Sequence, residues 1–266
     1  MCIFTTSDQP AAQGAALVKA LTMSRIALIS GSTGGLGSAL AKKMAKAGYR
    51  LALHYFQKGE GASALLKDLG GEKNHHQLFQ ADLRNEEDVI NMMNTIRSNM
   101  GSVEVLVNNA GIPFSGLSWK QSLESWQEVF NVNTTAAWML SKHCIPQMRT
   151  YETGRIIYIS SVVAHRPLAG TSAYAASKAA LEGLTRAQAV ELAHFNITVN
   201  CIAPGYFDAG MIHSVDEPQQ EKIKSATPAS RLGHADELAA ATLYLCSEEA
   251  AFTTGQIIHI NGGLYI

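Results

Sequence analysis

Short apolar runs recur near residues 25–30, 50–55, 76–80, 103–107, 155–160, 196–202 and 256–260. Helix-like stretches at 36–47, 60–69, 86–99, 123–148, 174–194 and 235–246 separate most of them. This alternation constrains the fold more than any other feature. Strands that read as unbroken apolar runs are covered on both faces, as in a parallel sheet with helices above and below. Right-handed crossovers then give a doubly wound α/β fold. No repeat, linker or low-complexity tract interrupts the pattern, so one domain is expected over residues 23–266. Residues 1–22 are weakly patterned and carry no site motif. They read as an N-terminal extension, either a frayed tail or a short docking helix.

Hydrophobic residues make up 47% of the chain and charged residues 16%, which excludes a disordered protein. The formal net charge is −1 and no basic block appears, so no nucleic-acid surface is expected. Cys2, Cys144, Cys201 and Cys246 lie far apart with no metal-ligand spacing. They read as free thiols of a reducing compartment, with no metal site. No apolar run approaches the roughly 20 residues of a membrane span, and the N-terminus lacks a signal-peptide pattern. A cytoplasmic protein without a membrane partner is expected.

The first strand runs into Ser30-Gly31-Ser32-Thr33-Gly34-Gly35-Leu36-Gly37, and a helix follows. A tight strand-to-helix turn favours residues without Cβ, and close backbone approach lets main-chain N–H groups meet a pyrophosphate. A glycine cluster alone is also compatible with a turn that binds nothing. The spacing Gly31-x-x-x-Gly35-x-Gly37 resembles the TGxxxGxG turn of the short-chain dehydrogenase/reductase family, with Ser30 keeping the hydroxyl of the usual threonine. The resemblance implies a Rossmann fold with a small substrate lid.

Tyr174 and Lys178 stand four apart on an expected helix and so share a face. Ketone reduction needs a hydride at carbon and a proton at oxygen. A tyrosine with an ordinary pKa of ~10 is a sluggish proton relay near neutrality. A nearby ammonium favours the phenolate and lowers that pKa. Alone, such a pair reads as a surface helical pair. Three further segments match the family. Ser161 lies thirteen residues before Tyr174, with Ser160 as its competitor. Its hydroxyl is suited to polarise a carbonyl oxygen. Asn133 matches the helix asparagine that holds a water near the lysine, or else marks a helix irregularity. Asn200-Cys201-Ile202-Ala203-Pro204-Gly205 matches the segment beside the nicotinamide. The resemblance covers residues 24–266 and implies a catalytic set of Asn133, Ser161, Tyr174 and Lys178.

The implied cofactor contacts are Gly31, Ser32, Thr33, Gly35, Leu36 and Gly37 in the turn, with Asp82 and Leu83 at the adenine. Asp82 also suits a helix cap. Asn109, Ala110 and Gly111 of an NNAG motif border the cofactor, and Tyr174, Lys178, Pro204 and Gly205 flank its nicotinamide. Tyr55 stands where NAD-binding relatives place a carboxylate, and His54, Gln57 and Lys58 are available to a 2′-phosphate. NADP(H) is therefore favoured over NAD(H), although Lys58 also reads as a solvated loop lysine. Gly34 stands where many NADP-using relatives carry a basic residue. Ala209 stands where the family often has a threonine.

Residues 206–230 correspond to the lid, with Tyr206, Phe207, Met211 and Ile212 as a candidate apolar wall. Arg166 reads as a solvated loop residue or as a partner for an anionic substrate group. The C-terminal stretch resembles 3-oxoacyl-(acyl-carrier-protein) reductases of fatty acid biosynthesis. That implies a β-keto acyl thioester substrate, on acyl carrier protein or coenzyme A, and a homotetramer. Glu152 and Phe195 stand where carrier-docking arginines are expected, leaving Arg149 and Arg155 as nearby substitutes. The alternatives are a dehydrogenase of another secondary alcohol, sugar or steroid, and a cofactor-sensing protein without turnover.

Overall fold

The computed structural model describes residues 25–57 and 59–266. The expected extension at 1–22, and Lys58, lie outside the described residues. Seven strands form one sheet: β1 (Ile26–Ile29), β2 (Arg50–Tyr55), β3 (Gln77–Gln80), β4 (Val105–Asn108), β5 (Gly154–Ile159), β6 (Ile197–Pro204) and β7 (Ile257–Ile260). Their order is β3-β2-β1-β4-β5-β6-β7, and every neighbouring pair is parallel. The chain builds outward from β1 in one direction and from β4 in the other. The crevice between their carboxyl ends is the topological switch point, where open α/β sheets bind ligands.

The helices are α1 (Gly35–Lys46), α2 (Gly59–Asp68), α3 (Glu86–Asn99), α4 (Leu123–Phe130), α5 (Ala136–Thr150), α6 (Ser172–Leu192), α7 (Glu217–Ala226) and α8 (Ala235–Cys246). Alternate strand residues serve two cores. Leu28, Leu106, Ile156 and Val199 meet Met92, Leu140 and Leu181 from α3, α5 and α6. Ile29, Leu53, Val107 and Ile157 meet Leu40, Met44 and Leu238 from α1 and α8. Each such buried aliphatic side chain contributes ~1.5–3 kcal/mol relative to exposure.

Two elements differ from the sequence expectation. The stretch read as one helix over 123–148 is α4, then a π-helical turn at Asn131–Thr135, then α5. Helix α7 was hidden because it buries no residue and so carries no apolar stripe. A cap forms it instead: Asp216 Oδ1 accepts from the Gln219 N–H at 2.9 Å, with Pro218 in the first turn.

Candidate active site

The glycine turn is held by neutral partners. Ser30 Oγ accepts from the Asn109 and Ala110 N–H groups, both at 3.0 Å. Asn109 Nδ2 donates to the carbonyls of Ser30 at 3.1 Å and Gly31 at 3.0 Å. The hydroxyl at position 30 thus locks β4 to β1. Gly31 adopts φ +62°, a left-handed conformation that favours glycine. A Cβ on Gly37 would stand 2.3 Å from Gly31 O, and one on Gly35 would stand 2.3 Å from Gly210 N. Gly35 therefore makes room for the lid backbone, a contact that the sequence did not reveal. The first turn of α1 has no side-chain cap and no acidic residue, so its N–H groups are open to an anion.

His54 needs correction. It does not face a phosphate: its ring is buried, Nδ1 accepts from the Gly31 N–H at 3.1 Å, and Nε2 lies 3.1 Å from Ala81 O. Burial pushes it down to about 4, so it is neutral near pH 7. Ser32 is also buried, its hydroxyl donating to His54 O at 3.0 Å. Thr33, Leu36 and Tyr55 remain partly exposed, whereas Leu83 joins the core. Asp82 does not cap α3; Asn85 does, accepting from the Glu87 N–H at 2.9 Å. The Asp82 carboxylate is forked by Arg84, which holds it below the usual carboxylate range, and Arg84 also reaches Glu128 at 2.7 Å.

At the other side of the crevice, Ser161 follows β5 and caps a short 3-10 turn, its Oγ accepting from the Val163 N–H at 3.2 Å. Ser160 is directed away: its hydroxyl faces Glu182 Oε1 at 2.8 Å and Lys178 O at 3.1 Å. Ser161, not Ser160, is the serine whose side chain acts on the Tyr174 phenol. Lys178 is buried, donates from Nζ to Ile159 O at 2.8 Å, and sits 5.8 Å from the centroid of the Tyr174 ring. Burial brings this ammonium down to about 8.

The expected lowering of Tyr174 by Lys178 is absent. Burial instead pushes the phenol up to about 12, opposed by the nearby Ser161 hydroxyl. The ammonium is turned to the Ile159 carbonyl and is itself desolvated, so burial outweighs it.

Asn133 lies in the π turn, the helix irregularity that the sequence reading offered as its structural alternative. Its Oδ1 accepts from the Ile112 N–H at 2.8 Å, and Nδ2 donates to Ile112 O and Ser177 Oγ, both at 3.1 Å. Ser177 in turn donates to Tyr174 O at 2.8 Å. A Cβ on Gly111 would stand 3.2 Å from both Asn133 Oδ1 and Lys178 Nζ, so glycine lets these two groups share one wall. Neither the linking role of Ser177 nor the placement of Ile112 was legible from the motifs.

Of the candidate lid wall, Tyr206 packs in a small cluster with Val162, Val163, Leu264 and Tyr174. Phe207 is core and pairs with Gly233, Ile212 is buried, and Met211 is exposed. Ala209, in place of threonine, is extended backbone ahead of a short helical turn. Pro204 ends β6, and a Cβ on Gly205 would stand 2.7 Å from Asn261 Cα. Exposed Arg166 donates to Leu264 O at 2.8 Å, tying the loop to the tail.

The carrier-docking reading of Arg155 is corrected: it has no exposed surface and donates to the carbonyls of Gly154, Asn196 and Ser247. Arg149 stacks 4.4 Å over Phe195. Glu152 and Phe195 precede β5 and β6, at the opposite end of the sheet from Tyr174 within one chain. Among the described residues, no helix is long and apolar enough to cross a membrane.

A switch-point crevice with a glycine turn on one side and a Ser–Tyr–Lys group on the other belongs to dinucleotide-dependent oxidoreductases. Comparison with known proteins narrows the class. A family model described as enoyl-(acyl carrier protein) reductase matches residues 31–265. A nodulation protein G from Rhizobium sp. (strain N33) is 39% identical over 240 residues, 90% of this chain and 96% of the relative. A 3-oxoacyl-(acyl-carrier-protein) reductase from Aquifex aeolicus (strain VF5) is 36% identical over 244 residues, 91% of this chain and 97% of the relative. A crystal structure from Agrobacterium tumefaciens, described as a gluconate dehydrogenase, superposes with a TM-score of 0.87 at 30% identity, covering 91% of this chain and 96% of the other. The chain belongs to the short-chain dehydrogenase/reductase family, whose members use a nicotinamide cofactor.

Proposed function

We propose that this protein reduces a ketone to a secondary alcohol with NADPH, and that its substrate is a 3-oxoacyl thioester. The observation that carries the reading is the placement of buried Lys178 5.8 Å from the Tyr174 ring centroid, on the helix that packs against Ser161 at the end of β5.

The residues present fit a nicotinamide dinucleotide. The uncapped start of α1, without a carboxylate, suits a pyrophosphate, and the glycine positions keep Cβ atoms out of the turn. No carboxylate follows β2 at Tyr55-Phe56-Gln57, and Asp82 is neutralised by Arg84, so nothing there repels a 2′-phosphate. The Arg84 guanidinium lies 5.3 Å from the Phe56 centroid at that strand end, its charge already shared between Asp82 and Glu128. The bound cofactor supplies the hydride. Ser161 and Tyr174 donate hydrogen bonds to the substrate oxygen and stabilise its developing negative charge. A phenol near 12 holds its proton at neutral pH and is ready to release it to an alkoxide. Lys178, brought down to about 8, stands beside Tyr174 as the proton reserve of the site, and Asn133 shares its wall at Gly111. Reduction therefore slows as pH rises through about 8, where Lys178 loses its charge.

The 3-oxoacyl substrate is supported by the Aquifex aeolicus relative. The gluconate dehydrogenase neighbour, Ala209 and the missing arginines at 152 and 195 favour a second reading, a dehydrogenase of another secondary alcohol. Absorbance of NADPH and NADH with a short β-keto thioester decides between them. Oxidation of NADPH well above NADH, lost by ~10²–10⁴-fold in Tyr174→Phe, is expected. No turnover with either cofactor rules out the thioester.

A further inference from the structure

Among the described residues, Glu182 is the only buried carboxylate. It stands one helical turn beyond Lys178 on α6 and takes no part in the chemistry above. An unpaired buried carboxylate is expensive, and hydrogen bonds offset the cost. Here both come to one oxygen: Oε1 accepts from Ser160 Oγ at 2.8 Å and pairs with His165 Nε2 at 2.8 Å. Those two residues bracket the turn that begins at Ser161. The His165 ring packs 4.6 Å from the His259 ring on β7 and 4.7 Å from that of Tyr265. Adjacent Leu264 fills the cluster with Val162, Val163 and Tyr174. One carboxylate therefore joins the catalytic helix, the end of β5, the following loop and the tail.

We propose that Glu182 is a positioning residue that sets the placement of Ser161 against Tyr174. This rests on the reading of Ser161 and Tyr174 given under the proposed function. With Ser160 and His165 both held, the intervening turn has little freedom. A displacement of about 1 Å at a catalytic group is enough to cost on the order of 10²-fold in rate. Glutamine keeps an oxygen that accepts from Ser160, whereas leucine removes both hydrogen bonds.

The test compares wild type, Glu182→Gln and Glu182→Leu by peptide-resolved hydrogen exchange and by NADPH-dependent thioester reduction. Leucine is expected to speed exchange across 160–168 with little change in β1–β4, and to lower kcat about tenfold or more while KM for NADPH moves less than about twofold. Glutamine is expected to recover most of kcat and of the exchange protection. Wild-type exchange across 160–168 in the leucine variant overturns the proposal, whatever the activity. So does faster exchange spread over the whole chain, or a glutamine variant as impaired as leucine. If wild type itself does not reduce the thioester, that failure belongs to the substrate reading, and the exchange result still decides the role of Glu182.

Discussion

Two buried cations stand at opposite ends of the central strands. Arg155, at the amino end of β5, donates to three carbonyls at 2.8, 3.2 and 3.2 Å and faces Glu248 at 3.6 Å. Lys178, packed at the carboxyl end, donates to one carbonyl, and among the described residues no carboxylate pairs with it. A guanidinium stays charged in almost any surroundings and offers a fixed fork of donors. An ammonium in the same situation drifts toward neutrality, here to about 8. The comparison separates a charge at the amino end of the sheet, held by several backbone carbonyls, from one at the carboxyl end beside Tyr174. What marks the second is its place in the fold, not burial itself.

The largest expected effect lies at the second of these charges. Lys178→Met should lower turnover by about 10²–10⁴-fold, as loss of a proton-transfer group does, with the melting temperature held or raised. A large fall in melting temperature would place Lys178 with Arg155 as a structural cation. Arg155→Met should do the reverse, costing about 3–5 kcal/mol by stranding buried acceptors. That amounts to a fall of roughly 10 °C or more on a thermal melt, while kcat of the folded fraction stays unchanged.

A pH series sharpens the contrast. The folded-state pKa of Lys178 is depressed from 10.5 to about 8. Below about 8 both states hold the proton, and the folded state bears the full desolvation cost. Between about 8 and 10.5 the unfolded chain binds more protons, so stability rises with pH. The wild type should gain on the order of 1–3 kcal/mol relative to Lys178→Met across that window. Equal pH dependence in the two proteins would mean that Lys178 is not desolvated.

The smallest effect tests the other side of the crevice. His54→Ala should weaken NADPH and NADH binding alike, by about tenfold, because it removes a brace of the glycine turn. Isothermal titration that showed loss for NADPH alone would make His54 a phosphate contact after all.

The strands were legible because a sheet buried on both faces leaves long apolar runs. The π turn was legible only as the irregularity that Asn133 allowed, and α7 was not legible. Apolar residues continue through 123–148, so the apolar pattern does not mark the slipped register, and α7 depends on a cap rather than on burial. Within the candidate site, helical spacing put Tyr174 and Lys178 on one face, while the choice of that pair and of Ser161 as site residues came from the family resemblance. Why Ser160 is not its equal became clear only with Glu182, since a single glutamate on a helix reads as solvated. His54 and Arg155 failed for the same reason: a strand's sequence does not say which of its polar side chains neighbouring segments will enclose.

The π turn also bears on how this molecule tolerates insertions and deletions. A turn that bonds to the fifth residue holds one residue more than the α-helix needs, a phase advance of about 100°. Helices α4 and α5 therefore address different neighbours although one continuous coil joins them. Losing a single residue between 131 and 135 would not shorten a loop. It would turn one half of the coil by more than a quarter revolution against the other and carry Asn133 out of register with Gly111. Chains of differing length at this point are thus different machines, whereas the exposed α7 can grow or shrink at little expense.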